Sequence, residues 1–406
     1  MRYNIWTDCE RRPLPDVLSF VVDNRGKTVP TDPEGAYQLI ATNCIRNENL
    51  YPSYDKVRFL NAETYNNWFR AHPIPGDILF VCKGTPGRCC LVPNPIDFCI
   101  AQDMVALRTN PDIMYNKYLL AVLRSPEIQA QITNTSVGDV IPHFKKSFFD
   151  TLMIPVPPLE VQRTIGDYYY AFCSKQELNK KINENLLQQA AAIHKSWFYE
   201  YALNEGVMPS SWRTVTIEDI TCLVSRGIAP KYDDDSDQII LNQKCIRNHT
   251  IDFIPSRRHI PKAVTEKWLV QGDLLINSTG QGTLGRVAQV WFEPKNMTVD
   301  SHITIVRPKS ALLRNYIGFW GITHEAEIEA LHTGSTGQTE LPRERVKTIE
   351  IMLPDDNTLM KYNDVISPMT QLIVANREEI ERLSLIRDSL IPKLMSGELD
   401  VSDHDL

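Results

Sequence analysis

The chain has 406 residues, which is long enough for two or three domains, each with its own hydrophobic core. Its hydrophobic content of 43% is ordinary for a globular protein, and no apolar run approaches the roughly 20 residues that a membrane-spanning helix needs. The net charge of −7 excludes little, because residues 351–406 carry 11 acidic and 5 basic side chains and the rest of the chain is nearly balanced.

The nine cysteines and nine histidines do not indicate a metal or disulfide framework. There is no Cys-x-x-Cys pair, and the histidines lack the spacing typical of metal ligands. We therefore expect reduced, buried thiols, no metal site and no cofactor. Since the first residues lack the apolar core of a signal peptide, we expect a cytoplasmic protein without a membrane partner.

Two halves of the chain repeat short motifs in the same order, at offsets of 201, 196 and 198 residues. Three motifs recur: Cys-Ile-Arg-Asn at residues 44–47 and 245–248, Gly-Asp-(Ile/Leu)-Leu at 76–79 and 272–275, and Gly-Thr-x-Gly-Arg at 84–88 and 282–286. Such conserved order indicates an internal duplication, which would give the molecule two similar surfaces.

Each half begins with a globular part and ends with a helical part. Short apolar runs broken by Pro, Gly and Asn are typical of short strands and loops, whereas the segments after residues 157 and 354 have helical periodicity. We predict an α+β fold with a pseudo-two-fold internal repeat. Its predicted parts are a first globular domain (1–157), a central long helix (158–203), a second globular domain (204–354), and a C-terminal helix with an acidic tail (355–406).

Both helical segments have the 3-4 alternation that is typical of a coiled coil. We predict that they pack antiparallel within the one chain and hold the two globular domains apart. Asn376 and Asn179 fall at equivalent positions, where a buried Asn would fix the register; the alternative is a solvated Asn at a kink, since Pro368 should bend or start its helix. The predicted interface positions are Leu359, Tyr362, Ile366, Met369, Ile373, Asn376, Ile380, Leu383, Arg387, Leu390 and Leu394 in the second helix, and Gln162, Ile165, Tyr169, Phe172, Gln176, Asn179, Asn183, Leu186, Ala190, Ile193 and Trp197 in the first.

Residues 280–285 match Gly-x-Gly-x-x-Gly, the fingerprint of dinucleotide-binding folds. That fingerprint must open a helix, but residues 286–292 are β-branched and aromatic, and the first repeat places Pro86 where the helix would begin. We predict a Gly-rich turn between two strands in each repeat and no catalytic residues. An enzyme built around residues 280–285 stays as an alternative; it would bind a nucleotide or S-adenosylmethionine unaided.

Basic and amide side chains recur at the turns of both halves. Arg and Lys at such turns can reach phosphates, and Arg, Asn and Gln can recognise base edges in the major groove, so the set favours two surfaces that bind double-stranded DNA. The candidate DNA-binding residues are Arg25, Lys27, Arg46, Asn47, Lys83, Thr85, Arg88, Lys145 and Lys146 in the first half, and Arg226, Lys231, Arg247, Asn248, Ser278, Gln281, Arg286, Arg343 and Arg345 in the second.

With these features the chain resembles the specificity subunit of Type I restriction–modification enzymes, over essentially its whole length. The most specific stretch is Leu-Ile-Arg-Asp-Ser-Leu-Ile-Pro-Lys-Leu-Met-Ser-Gly-Glu-Leu at residues 385–399. Residues 182–190, continuing into Lys-Ser-Trp-Phe at 195–198, resemble the family's central helix, and residues 154–162 resemble the entry to that helix.

The resemblance implies a non-catalytic subunit with two target-recognition domains, each of which reads one half of a split, asymmetric DNA target. It further implies docking of two modification subunits, which bind S-adenosylmethionine and methylate adenine, and of restriction/translocase subunits. Two alternatives stay open: a tandem-repeat scaffold that binds only proteins, and a recognition subunit of a methyltransferase system with a different nuclease.

Overall fold

The computed structural model describes residues 4–24, 26, 28–54, 56–138, 140–260, 264–334 and 339–399. The chain divides into two compact units. Unit 1 comprises Met1–Asn179 together with Glu379–Leu406, and unit 2 comprises Lys180–Glu378. Unit 1 is therefore assembled from two separate stretches of sequence, whereas unit 2 is one continuous stretch.

Unit 1 contains a four-stranded antiparallel sheet of order β2-β8-β5-β6, a three-stranded sheet of order β4-β3-β7 and the pair β1-β9. Its strands are β1 (Arg11–Pro13), β2 (Leu18–Val22), β3 (Tyr37–Ile40), β4 (Arg58–Leu60), β5 (Ile78–Val81), β6 (Cys89–Leu91), β7 (Phe98–Ile100), β8 (Met104–Thr109) and β9 (Met153–Pro155). Its helices are α1 (Ala62–Asn67), α2 (Asn116–Leu123), α3 (Pro126–Thr135) and the first part of α4 (Leu159–Phe198).

Unit 2 repeats this topology with a four-stranded sheet of order β11-β19-β16-β17, a three-stranded sheet of order β15-β12-β18 and the pair β10-β20. Its strands are β10 (Arg213–Thr216), β11 (Thr221–Arg226), β12 (Ile239–Leu241), β13 (Ile246–Arg247), β14 (Thr250–Ile251), β15 (Arg257–Arg258), β16 (Leu274–Asn277), β17 (Val287–Gln289), β18 (Met297–Val299), β19 (Ile303–Pro308) and β20 (Glu350–Leu353). Its helices are the rest of α4, then α5 (Ile217–Ile220), α6 (Arg314–Thr323), α7 (Glu325–Ala330), α8 (Arg343–Lys347) and most of α9 (Asp356–Met395). The predicted fold class, α+β with an internal repeat and long helices, is confirmed.

Strand β5 and its counterpart β16, which are inner strands of the two four-stranded sheets, are each buried on both faces. In β5, Ile78 and Phe80 pack into one hydrophobic cluster and Leu79 and Val81 into another, because successive side chains of a strand point to opposite faces. The same alternation divides β16 between two clusters of unit 2. A doubly covered strand requires a continuous apolar run, which has four residues in β5 and three in β16, where the buried Asn277 follows.

The repeated Gly-Asp motif forms the turn that leads into this inner strand of each sheet. Gly272 has a φ of +99°, a backbone conformation that favours glycine, and the Asp273 carboxylate accepts a hydrogen bond from the Val270 N–H at 2.9 Å. The same carboxylate binds the Arg307 guanidinium of β19 through two contacts of 2.7 and 2.8 Å. In unit 1, Asp77 pairs with Arg108 at 3.0 and 2.9 Å. The Asp of this motif thus forms an ion pair with an Arg of the neighbouring strand in both units. The sequence alone did not predict this role.

Within each unit, α4 and α9 pack antiparallel. In unit 1, Gln176 donates to the carbonyl of Ile380 at 3.1 Å and Asn179 donates to Glu379 at 2.7 Å. In unit 2, Asn376 donates to Asn183 at 2.8 Å, so the predicted buried Asn side chains do lie in the helix interface. Helix α9 begins at Asp356, so Pro368 does not start it.

The predicted interface positions are right for much of each helix but slip by one residue in α4. Ile165, Tyr169 and Gln176 are buried as predicted. Cys173 is buried in place of Phe172, but Asn179 and Ala190 beyond it are buried as predicted. Only near the end of α4 does the buried face move on by one residue, to His194 and Phe198 instead of Ile193 and Trp197. The predicted alternation averages 3.5 residues per turn, whereas a straight helix has 3.6, so the buried face drifts along the helix.

Candidate nucleic-acid interface

In unit 1 the turn after β5 meets the loop that follows α3. Lys83 and His143 form an antiparallel bridge, and the Gly84 N–H donates to the carbonyl of Pro142 at 2.9 Å. Strands β5 and β6 pair antiparallel on either side of this turn, which confirms the predicted Gly-rich turn between two strands. Arg88 is exposed, while Lys83 and Thr85 are half-buried. The structure therefore brings two of the predicted basic segments together.

An open cleft of about 650 Å³ lies beside this junction. Its lining combines positive charge from Lys83 and Arg70 with negative charge from Asp23 and Asp103. Lys145 and Lys146, which follow His143 closely in the sequence, are exposed, and Lys146 lies 3.5 Å from the carboxylate of Asp23. The residues that line the cleft are Asp23, Gly26, Thr28, Arg70, Lys83, Gln102, Asp103 and His143.

The Arg46–Asn47 turn is fastened to the scaffold of unit 1. The side-chain oxygen of Asn47 accepts a hydrogen bond from the N–H of Cys89, the first residue of β6, at 2.9 Å. Arg124, which ends α2, donates to the carbonyls of Cys89 and Asn49, both at 2.6 Å. Asn47 therefore positions the turn, and Arg46 is half-buried beside it. The sequence did not indicate Arg124, because this residue belongs to none of the motifs that recur in both halves of the chain.

In unit 2 the corresponding turn again meets the corresponding loop. Thr279 and Glu340 form an antiparallel bridge, and the Leu341 N–H donates to the carbonyl of Ser278 at 2.8 Å. Arg226, at the end of β11, joins them: its guanidinium lies 2.8 Å from the Glu340 carboxylate and donates to the carbonyl of Leu341 at 2.9 Å. These contacts give Arg226 an internal role in holding the loop.

Side chains of the unit 2 turn differ widely in exposure. Gln281 is exposed, whereas Ser278 is fully buried and its hydroxyl lies 2.6 Å from that of Thr304. Arg286 is half-buried and donates to the carbonyl of Gly282 at 2.7 Å, which closes the turn. Strands β16 and β17 flank the turn as an antiparallel pair, and β17 stands where a nucleotide-binding fingerprint would need a helix.

The Arg247–Asn248 segment is the tip of the β13–β14 hairpin. Asn248 and His249 have φ values of +50° and +58°, as a two-residue hairpin turn requires, and both Arg247 and Asn248 are exposed. His249 Nδ1 lies 3.3 Å from the Glu325 carboxylate, which also accepts from the N–H of Val287 at 3.0 Å. Burial raises the pKa of Glu325, but the hydrogen bonds from His249 and Val287 outweigh it and hold that pKa below its ordinary value.

Of the remaining candidates, three are exposed and two lie outside the described residues. Arg343 is exposed and lies 3.0 Å from Glu344, Arg345 is exposed and donates to the carbonyl of Leu331 at 3.0 Å, and Lys231 is exposed. Arg25 and Lys27 lie outside the part of the chain that the structure describes.

Among the described residues, no group of three or more His, Cys, Asp or Glu side chains is arranged to hold a metal ion. None of the helices in that part of the chain is both long and apolar enough to cross a membrane. What the geometry presents in each unit is an exposed, partly basic junction of a Gly-rich turn and a loop.

The chain is similar to proteins of one kind. The family model for the Type I restriction modification DNA specificity domain matches it twice, at residues 8–188 and 209–383. The Type I restriction enzyme MjaIX specificity subunit of Methanocaldococcus jannaschii is 24% identical over 316 residues, which cover 72% of this chain and 71% of that protein. The Type I restriction enzyme HindI specificity subunit of Haemophilus influenzae is 21% identical over 399 residues, covering 80% of this chain and 86% of that protein.

A solved structure shares the fold. The crystal structure of a Type I restriction–modification system S subunit from M. genitalium aligns with a TM-score of 0.57 at 15% sequence identity, and covers 96% of both chains. At 15% sequence identity, this likeness shows that the two chains share a fold and nothing more.

Proposed function

Because the chain belongs to the Type I restriction modification DNA specificity family, we propose that it recognises a split, asymmetric DNA target, with unit 1 reading one half and unit 2 the other. The observation that carries this proposal is the repeated junction of turn and loop on a repeated scaffold. The bridge between Lys83 and His143 in unit 1 recurs as the bridge between Thr279 and Glu340 in unit 2, yet all four side chains differ. Two domains that recognise different DNA sequences need the same backbone scaffold with different side chains.

The chain itself is proposed to be non-catalytic and cytoplasmic, and to bind no cofactor. Its proposed partners are double-stranded DNA, two adenine methyltransferase subunits that bind S-adenosylmethionine, and restriction/translocase subunits. The curated relatives support this, since each is named as the specificity subunit of a restriction enzyme. Methylation of an adenine inside a duplex requires the base to be flipped out, a step that belongs to the methyltransferase partner.

Domain boundaries at 157/158, 203/204 and 354/355 are part of the proposal, with α4 and α9 setting the length of the unspecified spacer. Each of these helices has 40 residues, or about 60 Å at 1.5 Å per residue. Removing one heptad from both helices should shorten the spacer and leave both half-sequences unchanged.

The adenine methylation pattern of DNA from cells with and without this gene tests the function directly. We expect one split motif that disappears on deletion. A protein-only scaffold predicts no sequence-specific change. A reader that serves a methyltransferase system with a different nuclease predicts the same methylation, together with a cleavage module that is not of the Type I kind.

Two matched substitutions test the division of labour. Arg88→Ala should weaken recognition of one half-site and Arg286→Ala that of the other, each by about 1–3 kcal/mol if the guanidinium contacts a base. Binding to duplexes with one scrambled half-site measures each half separately. Equal effects of both substitutions on both halves would contradict independent reading by the two units.

A further inference from the structure

The loop that follows α3 in unit 1 carries an apolar tip. Val140 is 92% exposed, Ile141 is 53% exposed and Val137 is 41% exposed. Single exposed aliphatic residues are common on protein surfaces, but three within five positions form a local apolar patch that needs an explanation.

This tip is held on a rigid root. His143 and Val137 exchange two backbone hydrogen bonds of 2.8 and 3.1 Å, and the Pro142 carbonyl accepts from the Gly84 N–H of the Gly-rich turn at 2.9 Å. The next residue, Phe144, is fully buried, and its N–H donates to the carbonyl of Cys82 at 2.8 Å. The root of the loop is therefore anchored to the Gly-rich turn, which lowers the conformational entropy that is lost when a ligand contacts the loop.

Two cations stand on either side of the tip: Lys83 is bridged to the root of the loop, and Lys145 follows it as an exposed residue. Lys146 lies 3.5 Å from the Asp23 carboxylate, and the acidic Asp139, next to Val140 in the sequence, lies outside the described residues. An apolar point flanked by cations matches a DNA groove, where phosphates border the base edges.

Unit 2 has the same root but a different tip. Thr333 and Thr279 both bridge to Glu340, as Val137 and Lys83 both bridge to His143. The intervening sequence, Gly-Ser-Thr-Gly-Gln-Thr at residues 334–339, is polar, and residues 335–338 lie outside the described part of the chain. A shared root with an apolar tip in one unit and a polar sequence in the other is the variation expected of an element that determines specificity.

We propose that Val140 and Ile141 contact the 5-methyl group of a thymine in the major groove of the half-site that unit 1 reads. The thymine methyl is the apolar group on the major-groove base edges, and contact with aliphatic side chains discriminates it from the other bases. This inference rests on the proposed function, because it names the base feature that one of the two readers recognises.

Replacement of thymine by deoxyuracil tests the contact, because it removes the methyl group and preserves base pairing. Each thymine of the target, once the methylation pattern has defined it, is replaced singly, and the dissociation constant of the full chain with its methyltransferase subunits is measured. At one or two positions of a single half-site, we expect binding to weaken about four-fold for each methyl group removed from a buried contact.

The variant Val140→Ser/Ile141→Ser should bind the natural target more weakly and should lose its sensitivity to deoxyuracil at those positions. Ile74→Ser is the matched control: Ile74 is 46% exposed, close to the value for Ile141, but it precedes β5 whereas Lys83 follows that strand. The control should retain the full deoxyuracil effect. Native-state hydrogen exchange of β5 checks that both variants keep the fold of unit 1.

Several results would overturn the inference: a half-site for unit 1 without thymine, no deoxyuracil effect in the unmodified chain, or an effect that the double variant retains. Fluorescence of 2-aminopurine placed beside the affected thymine provides a further test. A strong increase with the unmodified chain that the double variant abolishes would show that the tip unstacks a base step as a wedge, which contradicts a methyl contact. Base flipping by the methyltransferase would raise the fluorescence with both chains. Sequence-independent binding would instead refute the proposed function itself.

Discussion

Unit 1 and unit 2 satisfy the same backbone group in different ways. The first residue of the strand after the Gly-rich turn is Cys89 in unit 1 and Val287 in unit 2, paired with Phe80 and Ile276 respectively. The N–H of Cys89 donates to the amide oxygen of Asn47, whereas the N–H of Val287 donates to the carboxylate of Glu325.

The difference shows which part of the repeat is free to vary. In unit 1 the Arg46–Asn47 turn itself supplies the acceptor, so that turn is bound directly to the sheet. In unit 2 helix α7 supplies it, and the Arg247–Asn248 turn reaches that carboxylate through His249, while Ile246 and Ile251 of the same hairpin are buried in the core. A buried N–H must find an acceptor, but which element provides it is not prescribed. The Arg247–Asn248 turn of unit 2 therefore does not have to supply the acceptor that Asn47 supplies in unit 1.

The largest effect should come from the ion pair that both units share. Asp273→Ala and Asp77→Ala each leave an arginine without its carboxylate, and we expect losses in the free energy of unfolding of about 3–5 kcal/mol. The loss should be larger in unit 2, because the side chains of Asp273 and Arg307 are 0% and 17% exposed, against 2% and 29% for Asp77 and Arg108. Hydrogen bonds to Asp273 also raise the pKa of Arg307, whereas burial raises the pKa of Asp273 against the opposing effect of Arg307.

Native-state hydrogen exchange of β5 and β16 measures each unit separately. The exposed residue Asp234 provides the control, since Asp234→Ala should change the stability of unit 2 by less than about 0.5 kcal/mol. Equal losses in the free energy of unfolding for Asp273→Ala and Asp77→Ala would show that the difference in burial does not affect the strength of the two ion pairs.

A smaller effect is expected at the helix interface of unit 2. Asn376→Leu alone should lower the stability of this interface by about 1 kcal/mol, because the amide oxygen of Asn183 loses its donor while its Nδ2 still donates to the Ile373 carbonyl. The double substitution with Asn183→Leu should restore that loss, since an apolar pair replaces a polar one. Exchange rates of α4 and α9 amides in a double-mutant cycle give the coupling energy, and a value near zero would show that the two side chains do not act as a pair.

The smallest effect distinguishes the acceptors of Cys89 and Val287. Asn47→Ala should cost about 1 kcal/mol at any pH, because an amide does not titrate. Glu325→Gln should cost less, since Gln still offers an acceptor to Val287. The lowered pKa of Glu325 means that its contribution is present above its ordinary pKa and is lost as the pH falls through the lowered value.

Unfolding measured from about pH 6 to about pH 3 should therefore show the Glu325→Gln difference shrinking and the Asn47→Ala difference staying constant. A pH-independent loss for Glu325→Gln would mean that its charge makes no contribution.

The sequence predicted the repeat, the fold class and the strand–turn–strand at each Gly-rich motif, because these depend on local features: glycines at turns and apolar alternation. It did not reveal the role of Asp77, whose partner Arg108 lies 31 residues away, since a pairing between strands leaves no local pattern. The slip from Ile193 to His194 arose because the 3.5-residue period was extrapolated along the whole of α4.

For the interface, the sequence predicted the segments better than the residues. It identified the two Gly-rich turns and the loops after Ile141 and Leu341. In unit 1 the turn does meet the residue after Pro142, whereas in unit 2 the turn meets Glu340 and Leu341, just before the predicted segment. It could not predict that Ser278 is buried or that Arg226 binds Glu340, because both depend on which strand lies beside the turn. The assignment of individual residues to DNA contacts stays a prediction.

Unit 1 closes around both ends of the described chain. The Ile5 N–H donates to the carbonyl of Met395 at 2.9 Å, and Ile391 and Leu394 belong to the same hydrophobic core as Ile165. During synthesis, residues 1–179 therefore wait for about 200 further residues, roughly 10–40 s at 5–20 residues per second, before their core can be completed. Unit 2 is continuous and leaves the ribosome whole in the meantime. The half that is translated first is thus the half that finishes folding last, with the apolar face of α4 uncovered until α9 emerges.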